Sequence, residues 1–126
     1  ISASVLVSLD PADPDRARRA ARLGLAFYAT TPNYRGILDL HGREGLGREL
    51  RRAFAGGDRA SFAALVDDEL LDAIAIAGRP DEARDRLSAW SSSGVIERAI
   101  LAPPWYGIDE GRTRDLSAAI VGTFGG

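Results

Sequence analysis

Few side chains in this sequence can do chemistry, and their neighbours limit what that chemistry would be. Gly78-Arg79-Pro80 joins a flexible turn, a guanidinium and the first position of a helix, a combination that can receive an anion on backbone N–H groups. The same three residues are also the ordinary punctuation of a helix stop and restart. Tyr28, Tyr34 and Arg35, with Trp105 and Tyr106 after a double proline, offer apolar walls with polar tips, suited to lining a pocket or lid or to pinning a helix corner. Ser8 and Asp10 stand at the end of an apolar run. His41 is the single histidine, and beside Gly42 it reads as a donor to the last carbonyls of a helix. Asp67, Asp68 and Glu69 cluster where a helix begins, and solvated capping explains them better than metal binding.

Composition removes whole classes of mechanism. With no cysteine there are no disulfides, thiolate metal sites or cysteine nucleophiles. One histidine leaves zinc without a ligand set and a serine triad with a single candidate base, so no metal is expected. No phosphate-cradling loop or dinucleotide fingerprint is present. Sixteen basic against 18 acidic residues give a net charge of -2, with no basic patch for nucleic acid or an anionic membrane. All the basic residues are arginine, which fits a GC-rich genome. No apolar run approaches the roughly 18 to 20 residues of a membrane span, and the first residues lack a signal-peptide pattern; a soluble cytoplasmic protein is expected.

The elements that must position these residues alternate along the chain. Residues 2–9 read as a buried strand ended by Asp10-Pro11. Asp13 caps a helix with Pro14 at its first position, running to about Thr30. Ala17, Ala20, Ala21, Gly24 and Tyr28 share one face of it, and Arg16, Arg19 and Arg22 project away. Residues 31–67 read as short helical phrases stopped near Gly42 and at Gly56-Gly57, the third capped by Asp58. Their apolar density marks an excursion rather than a disordered linker. Asp67 caps a further helix carrying Leu70, Leu71 and Ile74, and Ala73 to Gly78 can end it as a short strand. After Gly78-Arg79-Pro80 a helix buries Ala83, Leu87 and Trp90 and stops at Gly94. Val95 to Ala102 is a second buried strand, and a last helix runs from about Asp109 to Phe124 with Leu116, Ala119, Ile120 and Thr123 on one side.

Such alternation predicts parallel strands joined by crossovers. Two or three strands cannot cover both faces and both edges of a parallel sheet, and a complete eight-stranded barrel takes about 250 residues. The sequence also opens at Ile1 and holds no methionine. We therefore read it as a truncated or processed portion of a larger protein, with a complete domain as the alternative.

Two blocks carry a family resemblance. Residues 26–35, Ala-Phe-Tyr-Ala-Thr-Thr-Pro-Asn-Tyr-Arg, follow a strand and an Asp-Pro-capped, arginine-rich helix. Residues 68–82, Asp-Glu-Leu-Leu-Asp-Ala-Ile-Ala-Ile-Ala-Gly-Arg-Pro-Asp-Glu, lead through a helix to Gly94-Val95 and the last strand. Together they resemble the C-terminal half of the luciferase-like monooxygenase superfamily, over roughly Ser2 to Pro104, with Arg79 where threonine is common. The branch it looks most like uses the 8-hydroxy-5-deazaflavin coenzyme F-420, with an FMN branch as runner-up. The resemblance implies an α/β fold, the C-terminal part of a (β/α)8 barrel: one domain over residues 1–126, its sixth strand at 2–9, its eighth at 95–102 and a helical insertion at about 31–67. Coenzyme would bind at the C-terminal strand ends, with hydride transfer or flavin-mediated oxygenation as the chemistry. On that mapping Ser8, Gly78, Arg79 and Pro80 are candidate coenzyme contacts, and Tyr28, Tyr34 and Trp105 line the substrate pocket or its lid. The expected partners are a small-molecule substrate, the rest of the barrel and further copies of the chain. A non-catalytic α/β module that completes its sheet by dimerising is the competing reading.

Overall fold

The structure, a computed structural model, describes residues 2–92 and 98–124. Three strands form one parallel sheet: β1 (Ser2–Leu9), β2 (Ile76–Gly78) and β3 (Arg98–Ala102), in the order β2-β1-β3. Helix α1 (Pro14–Ala29) starts where the sequence predicts: Asp13 accepts the Arg16 N–H at 3.1 Å and Pro14 opens the helix, both suited to an N-terminus with orphan donors. The excursion resolves into a turn of 3-10 helix (Pro32–Tyr34), α2 (Arg35–Leu40), α3 (Leu46–Gly56) and α4 (Arg59–Ala64). Gly57, at φ +79°, ends α3, a left-handed conformation glycine adopts at little cost. Asp58 caps α4.

Asp67 caps α5 (Asp68–Ile74), which runs directly into β2, so both readings of residues 73–78 hold in succession. Helix α6 (Pro80–Ser91) and α7 (Glu110–Phe124) complete the order. The expected strand start at 95–97 and the stop at Gly94 lie outside the described residues.

The two faces of β1 enter different cores, as period-2 alternation requires. Leu6, with Ala77 of β2, packs against Ala21, Leu25 and Ala26 of α1 and on to Phe62, Leu70 and Leu71. Val5, Val7 and Leu9, with Ile76, pack against Ala83 of α6 and Ile120 of α7, flanked by Leu87, Trp90 and Phe124. Small residues let α1 approach closely. A Cβ on Gly24 would stand 3.1 Å from Pro104 Cβ.

The chain's own helices cover both faces of the sheet, α1 on one side and α6 and α7 on the other, while its two outer edges stay unpaired among the described residues. The strand order departs from that of a barrel. Successive strands of a barrel are neighbours, whereas here β3 pairs with β1, Ser2 opposite Arg98 through Leu6 opposite Ala102. The physical reason is length: β1 offers an eight-residue edge, and β2 is only three residues long. What holds of the expected fold is an α/β architecture around a parallel sheet.

Ser8 is fully buried, and its hydroxyl has no hydrogen-bond partner within the protein. Its alternation with Leu6 and pairing with Ala77 put it on the α1 side. An orphaned buried hydroxyl costs about 1 to 3 kcal/mol. We therefore expect Ser8→Ala to be neutral or to raise stability by about 1 kcal/mol, read as the urea midpoint; a loss above that size would show that the hydroxyl has a partner.

Candidate functional site

The C-terminal ends of β1 and β2 meet at Asp10 and Gly78. The Asp10 N–H donates to the Gly78 carbonyl at 3.0 Å, tying the ends of β1 and β2 together. The Asp10 carboxylate accepts the N–H groups of Ala12 at 3.0 Å and Asp13 at 3.1 Å, and one Nη of Arg112, in the first turn of α7, at 3.1 Å. The Arg112 and Asp10 side chains are only 15% and 14% exposed, so this ion pair is shielded where most surface pairs are screened. Burial pushes the Asp10 carboxyl up, but the N–H groups of Asp13 and Ala12 and the guanidinium outweigh it and hold it below the usual range. No sequence signal announces Arg112, because its partner stands at the other end of the chain.

Gly78 has φ +124°, a value that disfavours any side chain. Arg79 precedes the helix as its cap residue, and Pro80 occupies the first position of α6, as predicted. The Arg79 guanidinium is not free: its Nε donates to Asp81 at 3.2 Å, and both side chains are largely exposed. Arg18 of α1 also reaches this turn, its stem 3.7 Å from a Cβ built on Gly78. It donates to the Ala77 carbonyl at 3.2 Å and to Asp72 at 2.8 Å, and pairs with Asp68 at 3.2 Å.

Arg18 belongs to a network of ion pairs around the acidic cluster, whose side chains stay 50% exposed at Asp67, 71% at Asp68 and 90% at Glu69, as solvated capping requires. Arg22, expected to project away, pairs with Asp68. Arg86 of α6 pairs with Asp72 at 3.6 Å. Arg43 takes Asp67 with two bonds of 2.6 and 3.0 Å. Asp67 is also the α5 cap; the Leu70 N–H and then Arg43 hold its carboxyl below the usual range. Among the described residues no group of three or more His, Asp or Glu is placed to hold a metal ion, and no helix is long and apolar enough to cross a membrane. His41 follows α2 as its C-terminal cap residue, as expected.

The lowered carboxyls carry a pH dependence. A folded-state pKa below the unfolded one means that the unfolded chain binds more protons in acid. The contribution of Asp10 and Asp67 is thus fully present above their unfolded values, near pH 4, and is lost as pH falls through the folded ones. Urea midpoints should be level near neutrality and fall below about pH 4. Asp10→Asn should flatten that fall; an unchanged slope would remove Asp10 from the account.

The aromatic candidates meet, but elsewhere. Helix α1 runs back along the sheet, with Arg18 beside Gly78 and Gly24 beside Leu6, so Tyr28 lies about 15 Å further down the helix from Arg18. There the Trp105 indole N–H donates to the Tyr28 hydroxyl at 2.9 Å, and Tyr28 stacks on Tyr34 with ring centres 6.2 Å apart. Phe27 stacks on Tyr106 at 4.4 Å, and Phe54 and Phe62 of the excursion join the cluster. Burial raises the Tyr34 phenol. The excursion connects α1 to α5 and so sits away from the Gly78 turn. Tyr28, Tyr34 and Trp105 therefore form one group, Gly78, Arg79 and Pro80 another, and Ser8 is buried under α1.

The comparisons agree with this architecture. A family model described as luciferase-like monooxygenase matches residues 1–97. An uncharacterised protein of Mycobacterium tuberculosis is 35% identical over 102 residues, covering 79% of this chain and 30% of that protein. The 5,10-methylenetetrahydromethanopterin reductase of Archaeoglobus fulgidus is 35% identical over 91 residues, covering 68% of this chain and 27% of the relative. Among solved structures, the coenzyme F-420 dependent tetrahydromethanopterin reductase of Methanopyrus kandleri superposes with a TM-score of 0.68 at 26% identity, covering 91% of this chain and 32% of that one. This chain spans about a third of the length of these relatives. With three quarters of its length matched by one family model and its parallel α/β architecture shared with a solved relative, the chain belongs to the luciferase-like monooxygenase family.

Proposed function

We propose that the full-length protein is an oxidoreductase that transfers a hydride between the deazaflavin coenzyme F-420 and a small organic substrate, and that this chain supplies late βα units of its barrel. The observation that carries this reading is the 26% identical structural relative named as coenzyme F-420 dependent, which aligns with 91% of the chain. In that barrel residues 1–126 act as one unit with the excursion of 31–67 inserted, and β3 would exchange the edge of β1 for the open edge of β2.

The residues present fit the coenzyme only in part. Gly78-Arg79-Pro80 fits as one rim of a pocket, with a side-chain-free turn and a helix start. Arg79 is engaged by Asp81, and Asp81 and Glu82 occupy the first turn of α6, which offsets the attraction of that helix start for an anion. Ser8 reaches a ligand only if α1 is displaced. The aromatic group of Tyr28, Tyr34 and Trp105 suits a substrate wall only if the rest of the barrel brings it to the pocket. When bound, the coenzyme supplies the reacting hydride position, and the protein supplies orientation and electrostatics.

The test is a fluorescence titration of the full-length protein with the deazaflavin and, separately, with FMN. Saturable binding of the deazaflavin is expected. Binding of FMN alone would transfer the reading to the flavin branch, and binding of neither would end it. One observation favours a second reading, a self-contained module: the chain's own helices cover both sheet faces. A stable symmetric dimer of the 126-residue chain in gel filtration would support the module, whereas aggregation through open parallel edges would support a cut barrel.

A further inference from the structure

We propose that the cavity between the end of α1, α2 and the start of α3 binds a small molecule carrying two or more oxyacid charges, phosphate or carboxylate. The cavity measures about 720 Å3, within the range of small-molecule sites. Ala29, Pro32 and Leu38 give it an apolar wall, and Arg35, Arg43, Arg48 and Arg51 surround that wall.

The four arginines differ in what already holds them. Arg43 is taken by both oxygens of Asp67. Arg51 donates one bond, 3.2 Å, to the Thr30 carbonyl; a Cβ on Gly47 would stand 3.3 Å from that guanidinium and 3.5 Å from the Ala29 carbonyl, so glycine keeps this passage open. The guanidinium groups of Arg35 and Arg48 make no hydrogen bond or ion pair among the described residues. Asp39 and Glu44 also line the cavity, each four residues from one of these arginines, yet neither pairs with it. The remaining excess of positive charge beside an apolar wall suits an anion with some carbon surface. Guanidinium forks recognise phosphate and carboxylate by paired, charge-assisted bonds. Because exposed pairs are screened and individually weak, one charge would gain little, and at least two are needed to engage Arg35, Arg48 and the free donors of Arg51 together.

This site lies at the end of α1 remote from Gly78, so its test is independent of coenzyme binding. Isothermal titration of the full-length protein at constant ionic strength would use inorganic pyrophosphate as the phosphate probe and citrate as the carboxylate probe. Saturable binding of either is expected, and the probe that binds names the acid class. The double variant Arg35→Gln with Arg48→Gln should weaken it about tenfold or more, while Arg52→Gln, an exposed arginine outside the cavity, should leave it within about twofold. The proposal is overturned if neither probe saturates, if the double variant binds as wild type, or if Arg52→Gln weakens binding as much as the double variant. Should circular dichroism show the double variant unfolded, the single Arg48→Gln variant is read by the same criteria.

Discussion

Phe62→Ala is expected to destabilise the protein by about 3 to 5 kcal/mol, the range for truncating a buried phenylalanine. Phe62 is 1% exposed and sits on the six-residue α4, a helix too short to hold itself together. Its ring meets Phe54 at 5.6 Å and Tyr106 at 6.5 Å, and it belongs to the same core as Leu6, Leu25 and Leu71. Removing it opens a void between the excursion and α1. Domain stabilities are commonly about 5 to 15 kcal/mol, so a large share would be lost. The check is urea unfolding, with near-ultraviolet circular dichroism reporting the tyrosine and tryptophan environment. Phe62→Leu, which keeps much of the volume, should lose distinctly less. An unchanged midpoint for the alanine variant would mean that residues 31–67 fold apart from the sheet.

Gly78→Ala should have the second largest effect, through the backbone rather than through space. The nearest atom to a Cβ at this position is 3.7 Å away, an ordinary contact. The φ of +124° is what an alanine resists, at about 1 to 3 kcal/mol. Because the Gly78 carbonyl accepts the Asp10 N–H, relaxing the strain moves the junction of both strand ends. The urea midpoint should fall by the corresponding amount. If Gly78-Arg79-Pro80 forms the coenzyme rim, the variant of the full-length protein should also bind the deazaflavin more weakly, while Glu82→Gln, which leaves the turn unchanged, should not. Weakened stability with unaltered coenzyme affinity would remove this turn from the pocket.

The boundaries of most elements were legible because their chemistry is local. Asp13-Pro14, Gly57-Asp58, Asp67 and Gly78-Arg79-Pro80 each act on backbone groups within a few residues, and each stands where a cap or turn is found. Sheet order was not legible, since β1 has two edges and its choice of neighbour depends on ladder length and on which helix covers which face. The fate of the charges was hidden for the same reason. The ion-pair partners of Asp68 and Asp72 appear only when α5 is laid against α1, and Asp10 looks like a simple turn former until Arg112 arrives. Of the candidate site, the sequence placed Gly78, Arg79 and Pro80 at a strand end. It could not show that Tyr28 and Trp105 meet away from that end, because their hydrogen bond spans most of the chain.

The central position of β1 bears on how the protein is made. Its partners within this chain begin only at Ile76 and Arg98, so on the ribosome neither of these two ladders can form until the residues between have been synthesised. Non-local pairing of this kind slows folding and leaves strand edges open to other chains. The helices that form in the meantime, α1 above all, would shield one side of that strand before either ladder exists, and slower translation ahead of β2 would prolong the interval in which the nascent chain depends on that shield.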